Sequence, residues 1–129
     1  MLTEDQKHMF KEELNDRFLK TREVISQELL SSDEQQYIDL AGEVHDLGEA
    51  SLADLLVDLQ LASIHRHVQE IRDIDAALMR IAGGDYGYCT DCRASIKFER
   101  LQAYPTAKRC RPCQVVFEKM HVQQTGSTL

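Results

Sequence analysis

Apolar residues recur at alternating spacings of three and four along most of the first eighty positions. In the first run they are Phe10, Leu14, Phe18, Thr21, Ile25 and Leu29, one stripe of a helix. Thr3 stands where a helix N-cap belongs, and Gln6 three residues on predicts a capping box. Ser31 and Ser32 are weak helix formers, so the stripe stumbles there and resumes through Leu30, Tyr37, Leu40 and Val44 on a rotated face. Gly42 and Gly48 are the predicted stop signals.

A second run takes in Val57, Gln60, Ile64, His67, Ile71, Ile74, Leu78 and Ile81, a heptad seam widened at its start by Leu52, Leu55, Leu56 and Leu59. Ser51 is its expected N-cap, with Asp54 in the first turn, and Gly83–Gly84 its expected end. Between the runs lies His45–Ser51, "HDLGEAS". Two striped helices joined there fold back as an antiparallel coiled coil, an arm about 45 Å long at roughly 1.5 Å per residue. The fold class is mainly α: a long antiparallel coiled-coil helical hairpin over residues 1–82 with its tip near 42–51. A small cysteine-containing module over 83–118 includes the start of a C-terminal helix, whose end and frayed tail occupy 119–129. Val115, Val116 and Phe117 are expected to pack that helix on the base of the hairpin.

Charge changes this picture. Residues 1–82 hold 18 Asp/Glu against 8 Lys/Arg, whereas residues 83–129 hold 4 against 7. No Lys or Arg occurs between Arg22 and Arg66. Such a segment repels phosphates, which argues against direct DNA binding and for a basic protein surface or a metal as its partner. A solvated acidic face is the plainer reading of the same residues. No apolar run approaches the roughly 20 residues of a membrane span, and the first residues lack the apolar core of a secretory signal. A cytoplasmic protein is expected.

The four cysteines read Cys89-x2-Cys92-x17-Cys110-x2-Cys113. Each pair sets two thiolates on a tight turn, and four thiolates complete the tetrahedron zinc prefers. Such a closed set leaves no open position, so one structural zinc is expected and no catalytic one. With no phosphate loop and no placeable nucleophile–base pair, the chain does not read as an enzyme. His67 on the seam reads as a packed polar residue that sets register. His8, His45, His65 and His121 share no ligand spacing and receive no role.

The hairpin pattern followed by "GDYGYCTDC" and "ERLQAYPTAKRCRPCQ" resembles the DksA/TraR family of C4-type zinc-finger transcription factors. That resemblance implies a bacterial regulator of the stringent-response type that binds RNA polymerase and not DNA. Its coiled coil would enter the secondary channel and present acidic tip residues. The family's tip pattern is Asp-x-x-Asp-x-Ala. Asp46 matches the first acid, Glu49 stands for the second, and Ser51 for the alanine. Arg66 and Arg100 match family positions linked to polymerase contact, and a surface arginine is an equally good reading of each. The family's basic ppGpp-site positions correspond to Asp73, Tyr104 and Gln114, none of which carries positive charge, so weak or absent ppGpp dependence is expected. The expected form is a monomer. The rival reading is a zinc-stabilised coiled-coil adaptor for another basic protein.

Overall fold

In the computed structural model the backbone is described for residues 2–59 and 61–126, and side chains as far as His121. Gln60 on the expected seam and residues 127–129 of the expected tail lie outside the described residues. Among the described residues six helices follow in order: α1 (Glu4–Leu30), α2 (Gln35–Val44), α3 (Glu49–Leu56), α4 (Ala62–Gly83), α5 (Phe98–Ala103) and α6 (Arg111–Gly126). The described residues contain no strand, only an isolated antiparallel bridge between Tyr88 and Ser95.

α1 starts as its sequence predicts. The Thr3 hydroxyl accepts from the Gln6 N–H, and the Gln6 side-chain oxygen accepts from the Thr3 N–H. The stripe Phe10, Leu14, Phe18, Thr21, Ile25 and Leu29 is buried along its whole length. Its partner is α4, which buries Ile64, Val68, Ile71, Ile74 and Ala77. The pair is antiparallel: Glu28 near the end of α1 meets His67 near the start of α4, and Phe10 meets Tyr86 just past its end. Each fully buried Leu, Ile or Phe contributes about 1.5–3 kcal/mol, so this seam dominates the stability of the molecule. α4 ends at Gly84, whose φ of 84° allows its N–H to reach the carbonyls of Arg80 and Ile81.

The far end of this pair differs from the sequence expectation. The chain does not run on to a tip near 42–51. It reverses already at Ser31–Glu34, and α2 returns antiparallel along α1, bringing Ser26 to Ala41 and His45 and Arg22 to Leu47. α3 packs in turn on α4, the next helix along the chain. The physical reason is burial: α2 and α3 place Ala41, Val44, Leu52, Ala53 and Leu56 in one core with Ile25, Leu29 and Ile64. The Ser31–Ser32–Asp33 stretch supplies turn-forming side chains at the break, where Ser32 Oγ accepts the Glu34 N–H.

Smaller differences follow from the same rearrangement. Gly42 lies inside α2, and Gly48 with extended backbone precedes α3, so Ser51 is the third residue of that helix and caps nothing. Val57 leaves the seam and is 43% exposed. Val115 and Val116 also remain exposed, and the half-buried Phe117 lies under Arg109, so these three residues do not seat α6 on the base of the hairpin.

Candidate zinc centre and acidic turn

The link between the helical pair and the cysteine module is an aromatic cluster. The Phe10 ring centroid lies 5.6 Å from both Tyr86 and Phe98. The Tyr86 hydroxyl donates to the Pro105 carbonyl at 2.8 Å, and Arg80 Nη2 donates to the Ala107 carbonyl at 3.3 Å. Burial pushes the Tyr86 phenol up and the Arg80 guanidinium down from their ordinary values. Gly87, at φ 91°, turns the chain directly over Leu2, and a Cβ there would lie 2.9 Å from Leu2 Cδ1. The module is therefore fixed to the root of α1 and α4 from several sides.

Within the module, Cys89 and Cys92 sit on one turn, Cys110 ends a second turn that leads into α6, and Cys113 lies in the first turn of that helix. The Cys89 N–H donates to the Ala94 carbonyl at 2.7 Å and the Arg93 N–H to the Cys89 carbonyl at 3.0 Å. That tight turn forces Arg93 to φ 67°. The Thr90 N–H donates to the Lys108 carbonyl at 2.8 Å and ties the two turns together. All four sulfurs lie within 4.8 Å of one another, and none forms a disulfide. A zinc tetrahedron with Zn–S bonds of about 2.3 Å has sulfur–sulfur edges of about 3.8 Å. The Cys92 and Cys110 sulfurs are 3.7 Å apart.

The protons tell the same story. Burial pushes the Cys89 thiol up, but backbone N–H groups of Cys92, Cys110 and Asp91 outweigh it and bring it down to about 6. The Cys113 thiol is pushed up by hydrogen bonding to Cys110, Cys89 and Cys92. Sulfurs this close cannot all ionise without a cation among them, and a divalent ion removes that conflict. The donor set fits a closed, structural zinc. Arg109, which donates to Asp91 at 2.9 Å and stacks 3.8 Å from the Phe117 ring centroid, adds positive charge beside it.

The expected polymerase-facing acids lie elsewhere. Asp46 is exposed in the turn between α2 and α3, Glu49 opens α3, and Ser51 is exposed on it. Arg22 Nη1 donates to the Leu47 carbonyl at 3.2 Å, which places this turn beside the third quarter of α1 and not at the end of the α1–α4 pair. Arg66 is exposed on α4, and Arg100 is tied to the module by its Nε donating to the Arg109 carbonyl at 3.0 Å. The structure therefore brings the four cysteines together, whereas the acidic turn, Arg66 and Arg100 sit on separate elements.

Sequence reading missed the residues that hold the acidic turn. His45 Nε2 is 3.1 Å from the buried Ser26 Oγ, and its Nδ1 is 3.7 Å from Glu23 Oε2. Arg22 had a signal, as the last basic residue before the long acidic interval. Ser26, a hydroxyl beside an apolar stripe, had none.

Comparison with known proteins fits this geometry. Residues 84–119 match the family model of the prokaryotic dksA/traR C4-type zinc finger. Over 68 residues the chain is 37% identical to the RNA polymerase-binding transcription factor DksA of Buchnera aphidicola subsp. Acyrthosiphon pisum, covering 53% of this chain and 45% of that protein. It is 34% identical over 68 residues to the protein of the same name from Escherichia coli K12, again over 45% of that protein. The match thus spans less than half the length of these curated relatives. The transcription factor DksA2 from Pseudomonas aeruginosa shares the fold, with a TM-score of 0.59 at 23% identity over 92% of this chain and 87% of that one. Together the family match and the sulfur geometry assign one structural zinc to the module.

Proposed function

We propose that this DksA-like chain, built on a dksA/traR C4-type zinc finger, is a cytoplasmic transcription regulator that binds RNA polymerase and performs no chemistry of its own. The observation that carries this reading is the zinc module rigidly joined to an antiparallel helical pair, since the matched finger and the long helices occur together. In this reading the helical part enters the polymerase secondary channel and the zinc module stays at its rim. Asp46 and Glu49 act on basic groups or water near the catalytic centre, and Arg66 and Arg100 contact the enzyme from the flank. The long interval without Lys or Arg supports a protein surface over DNA as the target.

Dependence on ppGpp is weak in this proposal. Asp73 Oδ1 accepts from Lys108 Nζ at 3.2 Å, so the residue at a basic family position consumes a positive charge in place of supplying one. Tyr104 is 62% exposed and Gln114 is neutral.

One observation favours the adaptor reading instead. The acidic turn lies on the flank of the helical pair, where another basic protein has access to it. Transcription in vitro from a ribosomal RNA promoter separates the two. Purified polymerase is mixed with wild type or Asp46→Asn, each with and without ppGpp. Inhibition by wild type that Asp46→Asn loses while still binding polymerase is the expected result. Absence of both binding and inhibition by wild type moves the adaptor to the front.

A further inference from the structure

We propose that Arg109 is the positioning residue of the zinc centre: its side chain clamps the first cysteine turn to α6 and thereby sets how slowly zinc leaves. The other basic residues near the cysteines are engaged elsewhere or lie open. Arg93 is exposed beside Asp85 at 4.0 Å, Lys108 Nζ donates to Asp73 on α4 at 3.2 Å, and Lys97 and Arg111 are exposed. The Arg109 side chain is only 19% exposed, although it stands directly before Cys110 in the chain.

Its contacts run to every part of the chain that carries a thiol. Nε donates to Asp91 Oδ2 at 2.9 Å, and Asp91 lies between Cys89 and Cys92. The guanidinium carbon sits 3.8 Å over the centroid of the Phe117 ring, one helical turn past Cys113 on α6. The His121 ring continues that stack, 3.9 Å from the ring of Phe117. The Arg109 carbonyl is held in turn by Arg100 Nε at 3.0 Å, so the clamp is itself anchored on α5.

α6 needs such a clamp. Its Val115, Val116 and Met120 are exposed, so these apolar residues do not seat it. Phe117 is half-buried, and the group over its ring is a cation. Zinc leaves a closed four-thiolate site only when the chain opens locally and a ligand moves away. The bond to Asp91 and the stack on Phe117 both oppose that movement. The Thr90 N–H on the Lys108 carbonyl also ties the two cysteine turns, but it does not reach α6.

A simpler role for Arg109 is charge alone, since four thiolates around one divalent ion leave a net negative charge. Lysine separates the two roles. It keeps the charge but has neither the planar face that stacks on a ring nor the fixed fork of donors.

The test is zinc transfer from the full zinc-loaded chain to a colorimetric chelator, with far-UV circular dichroism alongside. Arg109→Lys and Arg109→Gln should both release zinc about tenfold faster than wild type, the joint effect of one cation–π stack and one charge-assisted hydrogen bond. Phe117→Leu should accelerate release by itself and add nothing further in the Arg109→Gln background, because both changes break the same contact. Release from Arg109→Lys at the wild-type rate overturns the proposal and leaves Arg109 as a charge only. Effects of Arg109→Gln and Phe117→Leu that simply multiply overturn it as well. Should the Arg109 variants lose helix, Asp91→Ala at an exposed position carries the test, and wild-type release from it overturns the clamp. Zinc release is read without polymerase, so the outcome does not depend on the regulator reading.

Discussion

Removing the Phe10 ring tests whether the root of the helical pair and the zinc module form one cooperative unit. Phe10 is fully buried, with Tyr86 and Phe98 each at 5.6 Å between ring centroids. Truncating a buried Phe to Ala costs about 3–5 kcal/mol. The upper half of that range applies, because the neighbours cannot collapse into the space: Tyr86 is held by its hydroxyl on Pro105, and each tilted ring pair is worth a further 0.5–1.5 kcal/mol or about that. Phe10→Leu keeps most of the volume and should cost only about 2 kcal/mol. Urea unfolding at saturating zinc measures this, with a slope of about 2 kcal/mol per molar, so Phe10→Ala should lower the midpoint by about 2 M. Zinc transfer to a colorimetric chelator supplies the second reading. It should accelerate at least about tenfold in Phe10→Ala, a factor that needs only about 1.4 kcal/mol of easier opening. Phe18→Ala, on the same stripe but away from the module, serves as the control. Equal acceleration of zinc release by both variants, or a Phe10→Ala midpoint within about 0.5 M of wild type, refutes the idea that this ring couples the two parts.

Other outcomes follow from single observations. Gly87→Ala places a Cβ 2.9 Å from Leu2 Cδ1 at a φ of 91°, and should destabilise the chain by about 1–3 kcal/mol in thermal unfolding. An unchanged melting temperature would show that the Leu2 end yields freely. Removing zinc with a strong chelator should speed amide exchange through residues 84–119 while the amides of α1 and α4 stay protected, because four clustered thiolates need the cation to coexist. Uniform exchange across the chain after chelation would instead make zinc a requirement of the whole fold.

How much of this was legible in the sequence depends on how local each signal is. The capping box at Thr3 and the αL end at Gly84 are fixed by residues within a few positions, the α1 stripe by a short repeating spacing and the four-cysteine site by two tight Cys-x2-Cys pairs, and each is found where the pattern puts it. The reversal was not. "HDLGEAS" and "SSDE" are both competent turns, and the stripe through Tyr37, Leu40 and Val44 packs equally well on an opposing helix or back on α1. Choosing between them depends on long-range contacts such as Arg22 to Leu47 and Ser26 to His45, which no periodicity encodes. The exposed Val115 and Val116 were misplaced for a related reason, since a stripe says that a face is apolar and not what covers it.

The seam histidine gives the sharpest separation between register and stability. His67 Nε2 lies 3.0 Å from Glu28 Oε1 on the α1–α4 seam, while Glu28 Oε2 and His67 Nδ1 are buried with no hydrogen-bond partner. Half-satisfied polar pairs of this kind contribute little stability, yet breaking one leaves an uncompensated group inside. His67→Leu alone should therefore destabilise the pair by about 1–2 kcal/mol, since the Glu28 it strands is still a third exposed, and Glu28→Leu by less, since Glu70 remains 4.0 Å from His67 Nδ1. The double substitution should recover most of that loss, or exceed wild type, because an apolar pair fits an apolar seam. If His67 instead sets the alignment of α1 with α4, the stable double variant should also show more than one cross-linked pairing between the two helices. A double variant as unstable as either single one would mean that the pair is a net source of stability. A stable double variant with one pairing would assign the register to the apolar residues alone.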